Sequence, residues 1–441
     1  MNFVLFILLN AILLIRPEEL FPEIAGLRLY LMTIALCTLT SLSGLTNHLS
    51  SASWRKHPLS PFLLAYLVFL TFSVVPHRGL GEVEEFGSQA FKNGLYFFLF
   101  LATVDTVHRF KALLGGFVAI IVVATTLSVL QYHGYTGFEA LEPYREGQTD
   151  NETGEFVGNV RLKGSGICAD PNDFCQVLLL GSICCLARAA LARGWILSAL
   201  WMLPLGLFGY AVTLTYSRGG LLGVLAGVAG FLYLRFGRRT GVVLVPLVVV
   251  VGVLAAGGRQ ANFGMDNSDD TSQHRIHLWA ESFALLSQKP LYFLTGLGTG
   301  TIVDECGQVA HNSFVQAYVE TGLIGGTLFA CLIIMPLLAI FSLRHPPVPE
   351  LNSRERSDLL QLRSHVFGLL TGFAVACYSL TRNVTETSYV FLGLGACYLA
   401  LAGDMCPKWF KLDPSFLKRS AALGVVVLVF LKLFTQIMAK Y

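Results

Sequence analysis

Charge is scarce in this chain. Only 13% of its 441 residues are Asp, Glu, Lys or Arg, against about 25% in an ordinary soluble domain, which argues against a globule surrounded by water. The charges present nearly cancel, at +3, so no basic excess points to nucleic acid. No Lys or Arg precedes the first apolar run, Met1–Ile15, and no small-residue cleavage site follows it. It reads as a retained first helix, not a signal peptide. Also missing are a CxxC pair, a Cys/His metal spacing, an internal repeat and a low-complexity tract, which removes the simplest signatures of metal centres and repeat folds.

Apolar residues are abundant, at 54%. They gather in runs such as Val242–Ala256 and Leu323–Ile340, the pattern of helices that lipid surrounds on all sides. Spanning backbone must satisfy its own hydrogen bonds, so an all-α, polytopic integral membrane protein is predicted. About thirteen spans, within a range of about 12–14, fit the runs. They lie at roughly 2–16, 25–45, 60–75, 88–104, 112–131, 172–190, 195–216, 219–235, 240–257, 314–343, 363–381, 385–403 and 420–437. With the amino terminus in the cytoplasm, most basic residues, among them Arg235, Arg238, Arg239, Arg354, Arg356 and Arg363, fall in inner loops and most acids in outer ones, as the positive-inside rule requires. Residues 1–441 read as a single transmembrane domain. Two connections are much longer than the rest, 132–171 and 258–311; both fall outside, so the functional face is expected there. Cys168 and Cys306 are the two cysteines in these outer loops, where an oxidising compartment would permit a disulfide.

Four segments carry the chemistry. Tyr216-Ser217-Arg218-Gly219-Gly220 lies between two apolar runs. An arginine so close to hydrocarbon pairs, snorkels or binds an anion, and the glycines would leave N–H groups accessible at a helix start. Gly219, Gly223 and Gly227 recur every fourth residue, which suits close helix packing. In the second long connection, Arg275 stands between His274 and His277; its planar fork suits phosphate. The two histidines with Asp266, Asp269 or Asp270 form no recognised metal spacing. His311-Asn312-Ser313 follows, with Asn312 or Ser313 able to cap the next helix and His311 a candidate proton acceptor or a plain interfacial histidine. Arg161 and Lys163 precede Asp170-Pro171-Asn172-Asp173, which reads as a turn into a helix. Both basic residues are either anion ligands or solvated charges. Glu82, Glu84 and Glu85 read as a solvated acidic loop or as carboxylates for acid–base work.

Thr213-Leu-Thr-Tyr-Ser-Arg-Gly-Gly220, the arginine–tryptophan segment, Gly296-Leu-Gly-Thr-Gly300 and His311-Asn-Ser-Phe-Val-Gln-Ala-Tyr-Val-Glu-Thr-Gly-Leu-Ile-Gly325 occur in that order. Together they resemble the bacterial O-antigen ligase and O-antigen polymerase superfamily over roughly 155–345. The resemblance implies a metal-independent membrane glycosyltransferase of GT-C-like architecture in the bacterial inner membrane, with no cofactor. Its donor would be an undecaprenyl-diphosphate-linked glycan on the periplasmic face, and its acceptor a glycan, lipid A core or a protein. It also implies that Arg218 and Arg275 hold the diphosphate and that His311 activates the acceptor. Arg161, Lys163 and Asn312 are further expected substrate contacts. A membrane transporter for a bicarbonate-like anion and a protein O-oligosaccharyltransferase are the alternative readings. A transporter should place ionisable residues near the midplane, whereas here they gather at the ends of the runs.

Overall fold

The computed structural model describes residues 1–75, 79–149, 156–256, 269–343 and 353–439. Every apolar run of the sequence falls on a helix. Among the described residues eight helices are long and apolar enough to cross a membrane, or nine if the bent pair Leu29–Thr40 and Leu42–His48, at 73°, is one span. This is fewer than the thirteen runs for reasons of length and of polarity. Asn2–Ile15 and Leu59–Phe72 have 14 residues each, about 21 Å of rise against a hydrocarbon core of about 30 Å. Val83–Thr103 is long enough, but its first half carries Glu84, Glu85, Gln89, Lys92 and Asn93.

The described parts of the two long connections are structured. In the first, Tyr144–Thr149 pairs antiparallel with Phe156–Arg161, Tyr144 opposite Arg161. In the second, the described residues form three helices, Asp269–Leu286, Pro290–Thr295 and Thr301–Cys306. Cys168 and Cys306, whose pairing the sequence leaves open, are both free. Cys168 is buried beneath Gly164, where an added Cβ would lie 2.7 Å from the Cys168 Cβ. Burial, with the Asp173 and Glu19 carboxylates nearby, pushes its thiol well above the usual range.

The chain divides into two compact units. The first comprises Met1–Leu42, Thr103–Asn262 and Pro349–Ala376. Its centre is Pro171–Leu191, packed on Val107–Tyr132 and on the Arg218–Ala256 helix. The four-residue glycine spacing does what it suggested. A Cβ on Gly223 would sit 3.1 Å from the Gly372 carbonyl oxygen, and one on Gly372 only 2.6 Å from that of Gly223, so two backbones touch where side chains would separate them. Trp195–Leu214, by contrast, leaves Trp195, Ile196 and Leu203 exposed, the pattern of a lipid-facing helix.

The second unit comprises Ser43–Ala102, Phe263–Val348 and Cys377–Tyr441. Ser313–Phe341 runs through it against Leu59–Phe72 and Pro414–Met438. Its helix breaks at Gly322, φ +67°. The break orphans the carbonyls of Val319 and Glu320, and the Gly296–Gly300 turn supplies the missing donors: Leu297 N–H to Val319 O and Gly298 N–H to Glu320 O, both 2.9 Å. Gly300 N–H donates to the Glu320 carboxylate at 2.9 Å. Only glycine fits the crossing, because a Cβ on Gly296 would meet Glu320 O at 2.2 Å and one on Gly322 would meet Leu294 O at 2.3 Å.

Candidate functional site

In the first unit the Tyr216–Gly220 segment is held from below. Ser217 caps the Arg218–Ala256 helix, its Oγ accepting from Gly220 N–H at 3.0 Å and donating to Asn172 Oδ1 at 2.6 Å. The Gly220 N–H is therefore not the open anion donor anticipated from sequence. Its glycine is required by contact instead, since a Cβ there would lie 2.5 Å from the Cys175 sulfur. Tyr216, immediately before the cap, takes φ +48°, a left-handed conformation that costs a side-chain-bearing residue about 1–3 kcal/mol. Arg218 follows at the helix start, half-buried.

Arg161 holds this arrangement together. Its guanidinium is 7% exposed as a residue and donates in three directions: Nε to Thr215 O at 2.8 Å, one terminal nitrogen to Glu146 Oε2 at 3.0 Å and the other to Asn172 Oδ1 at 3.1 Å. The next residue, Leu162, donates its N–H to Leu214 O at 2.8 Å. The turn at Asp170-Pro171 does lead into a helix, Pro171–Leu191, and Asp170 caps it, accepting from the N–H groups of Asn172 and Asp173. Lys163 is half-buried and makes no hydrogen bond or ion pair among the described residues. The Ser165–Gly166 turn docks on the end of the first helix: Ser165 Oγ donates to Ile15 O at 2.6 Å and Gly166 N–H to Glu19 Oε2 at 2.7 Å. Arg16 packs there too, since a Cβ on Gly166 would overlap its Cγ.

In the second unit the geometry of the motif repeats. His311 has φ +50° and directly precedes a cap, Asn312, whose Oδ1 accepts from the N–H groups of Phe314 at 3.0 Å and Val315 at 3.1 Å. Asn312 is fully buried and its Nδ2 has no partner among the described residues. Arg275 lies one helical turn before Trp279, whose indole N–H donates to Ala310 O at 2.5 Å. Ala310 N–H in turn donates to Gln316 Oε1 at 2.9 Å, and Gln316 donates to Glu320. The helix that carries Arg275 is thus fastened to the residue next to His311. His274 accepts from Gln308 Nε2, and His277 is exposed. Among the described residues no three His, Cys, Asp or Glu side chains gather as a metal site; Asp266 lies outside those residues.

Arg382 joins this cluster without having been singled out in the sequence. Its N–H donates to Ser313 Oγ at 2.8 Å, and Ser313 Oγ donates to Leu380 O at 2.6 Å. The signal was available, because Thr381-Arg382-Asn383 sits between two apolar runs much as Tyr216-Ser217-Arg218 does. Arg16, at the end of the first apolar run, was passed over in the same way.

Residues 203–330 match the model of the O-antigen ligase family. That stretch is similar to an O-antigen ligase domain. The matched stretch contains Arg218, Arg275, His311 and the glycine crossing at Gly296 and Gly322, and it supports the likeness to the O-antigen ligase and polymerase superfamily. No curated protein sequence matches the chain. The match supports, in general terms, a multi-pass membrane glycosyltransferase of the ligase or polymerase type, with lipid-linked glycans as the substrate class. Arg161, Lys163 and Arg382 lie outside the matched residues.

Proposed function

We propose that the chain transfers or polymerises an undecaprenyl-diphosphate-linked glycan onto a hydroxyl acceptor at the periplasmic face of the bacterial inner membrane. In the reaction the anomeric carbon–oxygen bond to the diphosphate breaks, a bond to the acceptor oxygen forms, and the acceptor proton passes to His311. Arg275 and Arg218 stabilise the departing diphosphate with guanidinium donors, the larger contribution in a site of low dielectric. Base catalysis by His311 adds about 10²–10⁴-fold. No step as written needs a metal. Arg161 serves the loop: its fork is engaged by Thr215, Glu146 and Asn172, so it positions Arg218 and does not itself hold phosphate. Asn312 fixes the helix start behind His311, and Lys163 keeps its charge available for the donor.

The observation that carries the reading is the Trp279 to Ala310 bond, which ties an arginine suited to diphosphate to a histidine suited to a proton. The test is reconstitution of purified protein with a labelled polyprenyl-diphosphate oligosaccharide, with and without glycan, lipid A core or protein acceptors. A ladder from donor alone marks a polymerase. A single acceptor-dependent shift marks a ligase or, with protein, an oligosaccharyltransferase. Arg275→Ala and His311→Ala should each reduce transfer at least a hundredfold, and wild-type rates in both would sink the proposal.

A further inference from the structure

The Val83–Thr103 helix of the second unit begins polar and ends apolar. Glu85, Ser88, Gln89 and Lys92 recur at the three- and four-residue spacing of one helix face, and they line a recess of about 320 Å³ completed by Leu70, Phe86 and Val384. That volume falls at the small end of ligand sites. The recess is braced. Gln89 Nε2 donates to Glu386 Oε1 at 2.9 Å and to Asn93 Oδ1 at 3.4 Å, which engages both amide protons and leaves Oε1 as an oriented acceptor. Asn93 Nδ2 donates to Val384 O at 2.9 Å, fixing the far wall. Glu85, Ser88 and Lys92 make no hydrogen bond or ion pair among the described residues.

The lining selects its ligand by chemistry. The lining charges, Glu85 and Lys92, offset each other, and Glu386 behind Gln89 makes the local balance negative, which does not attract a diphosphate; with Glu386 engaged by Gln89, one carboxylate is left, too few for a metal. The polar face is wrong for an acyl chain. A neutral polyhydroxylated molecule fits: its hydroxyls donate to Glu85 and Gln89 Oε1 and accept from Lys92 and Ser88, while its C–H face lies on Phe86 and Leu70. We propose that this recess binds a saccharide unit of the glycan being transferred or extended. The inference rests on the glycosyl-transfer reading and deepens it. Val384 stands two residues after Arg382, whose N–H bonds Ser313, itself two residues after His311, so one loop serves both the recess and the base.

The experiment uses the full-length protein in detergent micelles. Oligosaccharide released by mild acid from the lipid-linked donor, bearing neither lipid nor diphosphate, is titrated by saturation-transfer NMR. Binding to wild type should weaken at least tenfold in Lys92→Met and vanish in Ser88→Trp, an exposed helix position where the indole fills the recess without entering the core. His311→Ala should bind like wild type while failing to transfer. In transfer assays the recess variants should raise KM for one substrate with kcat held: the donor's if the sugar belongs to the donor, the acceptor's otherwise. Oligosaccharide binding unchanged in both variants, or absent in wild type, overturns the inference. Loss of transfer in wild type with binding intact would refute the transferase reading and leave the saccharide site standing.

Discussion

Replacement of Arg161 by lysine separates a positioning role from direct contact with phosphate. The guanidinium makes three bonds from a nearly buried position; an ammonium, with its point-like charge, cannot reach Thr215 O, Glu146 and Asn172 at once. Hydrogen bonds from a charged donor contribute roughly 1.5–3 kcal/mol each and are not additive, so the loss is about 3 kcal/mol. That equals or exceeds the roughly 1–3 kcal/mol of strain held at Tyr216, so without Arg161 the left-handed tyrosine relaxes and carries Arg218, two residues on, out of place. Arg161→Lys should therefore lower both the melting temperature in detergent and kcat for glycan transfer, although the positive charge is kept. Tyr216→Gly added to that background should recover part of the melting temperature, because glycine adopts φ +48° without strain. If Arg161→Lys melts like wild type and raises only KM for the lipid-linked donor, Arg161 is a phosphate ligand and the positioning argument is wrong.

Three further outcomes are expected. Asn312→Ala removes a helix cap worth about 1 kcal/mol and should lower the melting temperature, while Asn312→Ser, a neutral cap at this fully buried position, should recover part of it; Asn312→Ala melting like wild type would show that the cap contributes nothing. Gly372→Ala places a methyl 2.6 Å from the Gly223 carbonyl, and overpacking of that kind costs about 1–3 kcal/mol, so detergent unfolding should begin at lower temperature, whereas the same change at Gly206, open around its Cβ position, should be silent. His57 is pushed down to about 4 from 6.5 by burial, with His48 and Lys56 adding repulsion. The folded state thus holds it neutral, and its contribution is complete above pH 6.5 and lost as pH falls toward 4; melting temperature measured across that window should drop in wild type and drop less in His57→Gln.

Much of this molecule is written in periodicities that a sequence shows directly. Runs of apolar residues marked the long apolar helices, though not Asp269–Leu286 in the second long connection, and Asn312 announced a helix start because a cap needs only a short acceptor side chain at the right offset. The hairpin at Tyr144–Arg161 gave no such notice: Tyr-Arg-Glu-Gly-Gln-Thr has no apolar alternation and a single β-branched residue, Thr149, and the contact from Arg161 across to Glu146 is invisible in the sequence. The sequence likewise offered Gly220 as an open backbone donor, when the Cys175 sulfur opposite it and the Ser217 hydroxyl below it decide its role. Arg382 escaped notice because its partner, Ser313, is 69 residues away along the chain. Local pattern reveals caps and spans; which charged group is consumed by the protein and which is left for a substrate depends on distant partners.

The break at Gly322 has a consequence for how the protein is made. Two carbonyls of a membrane-spanning helix lack donors there unless the Gly296–Gly300 turn is in place, and each bare carbonyl in hydrocarbon would cost several kcal/mol. Ser313–Phe341 is thus a poor candidate to enter the bilayer alone. Because the turn is synthesised first, it is on hand when the helix emerges, and the two are expected to leave the translocon as one folded hairpin.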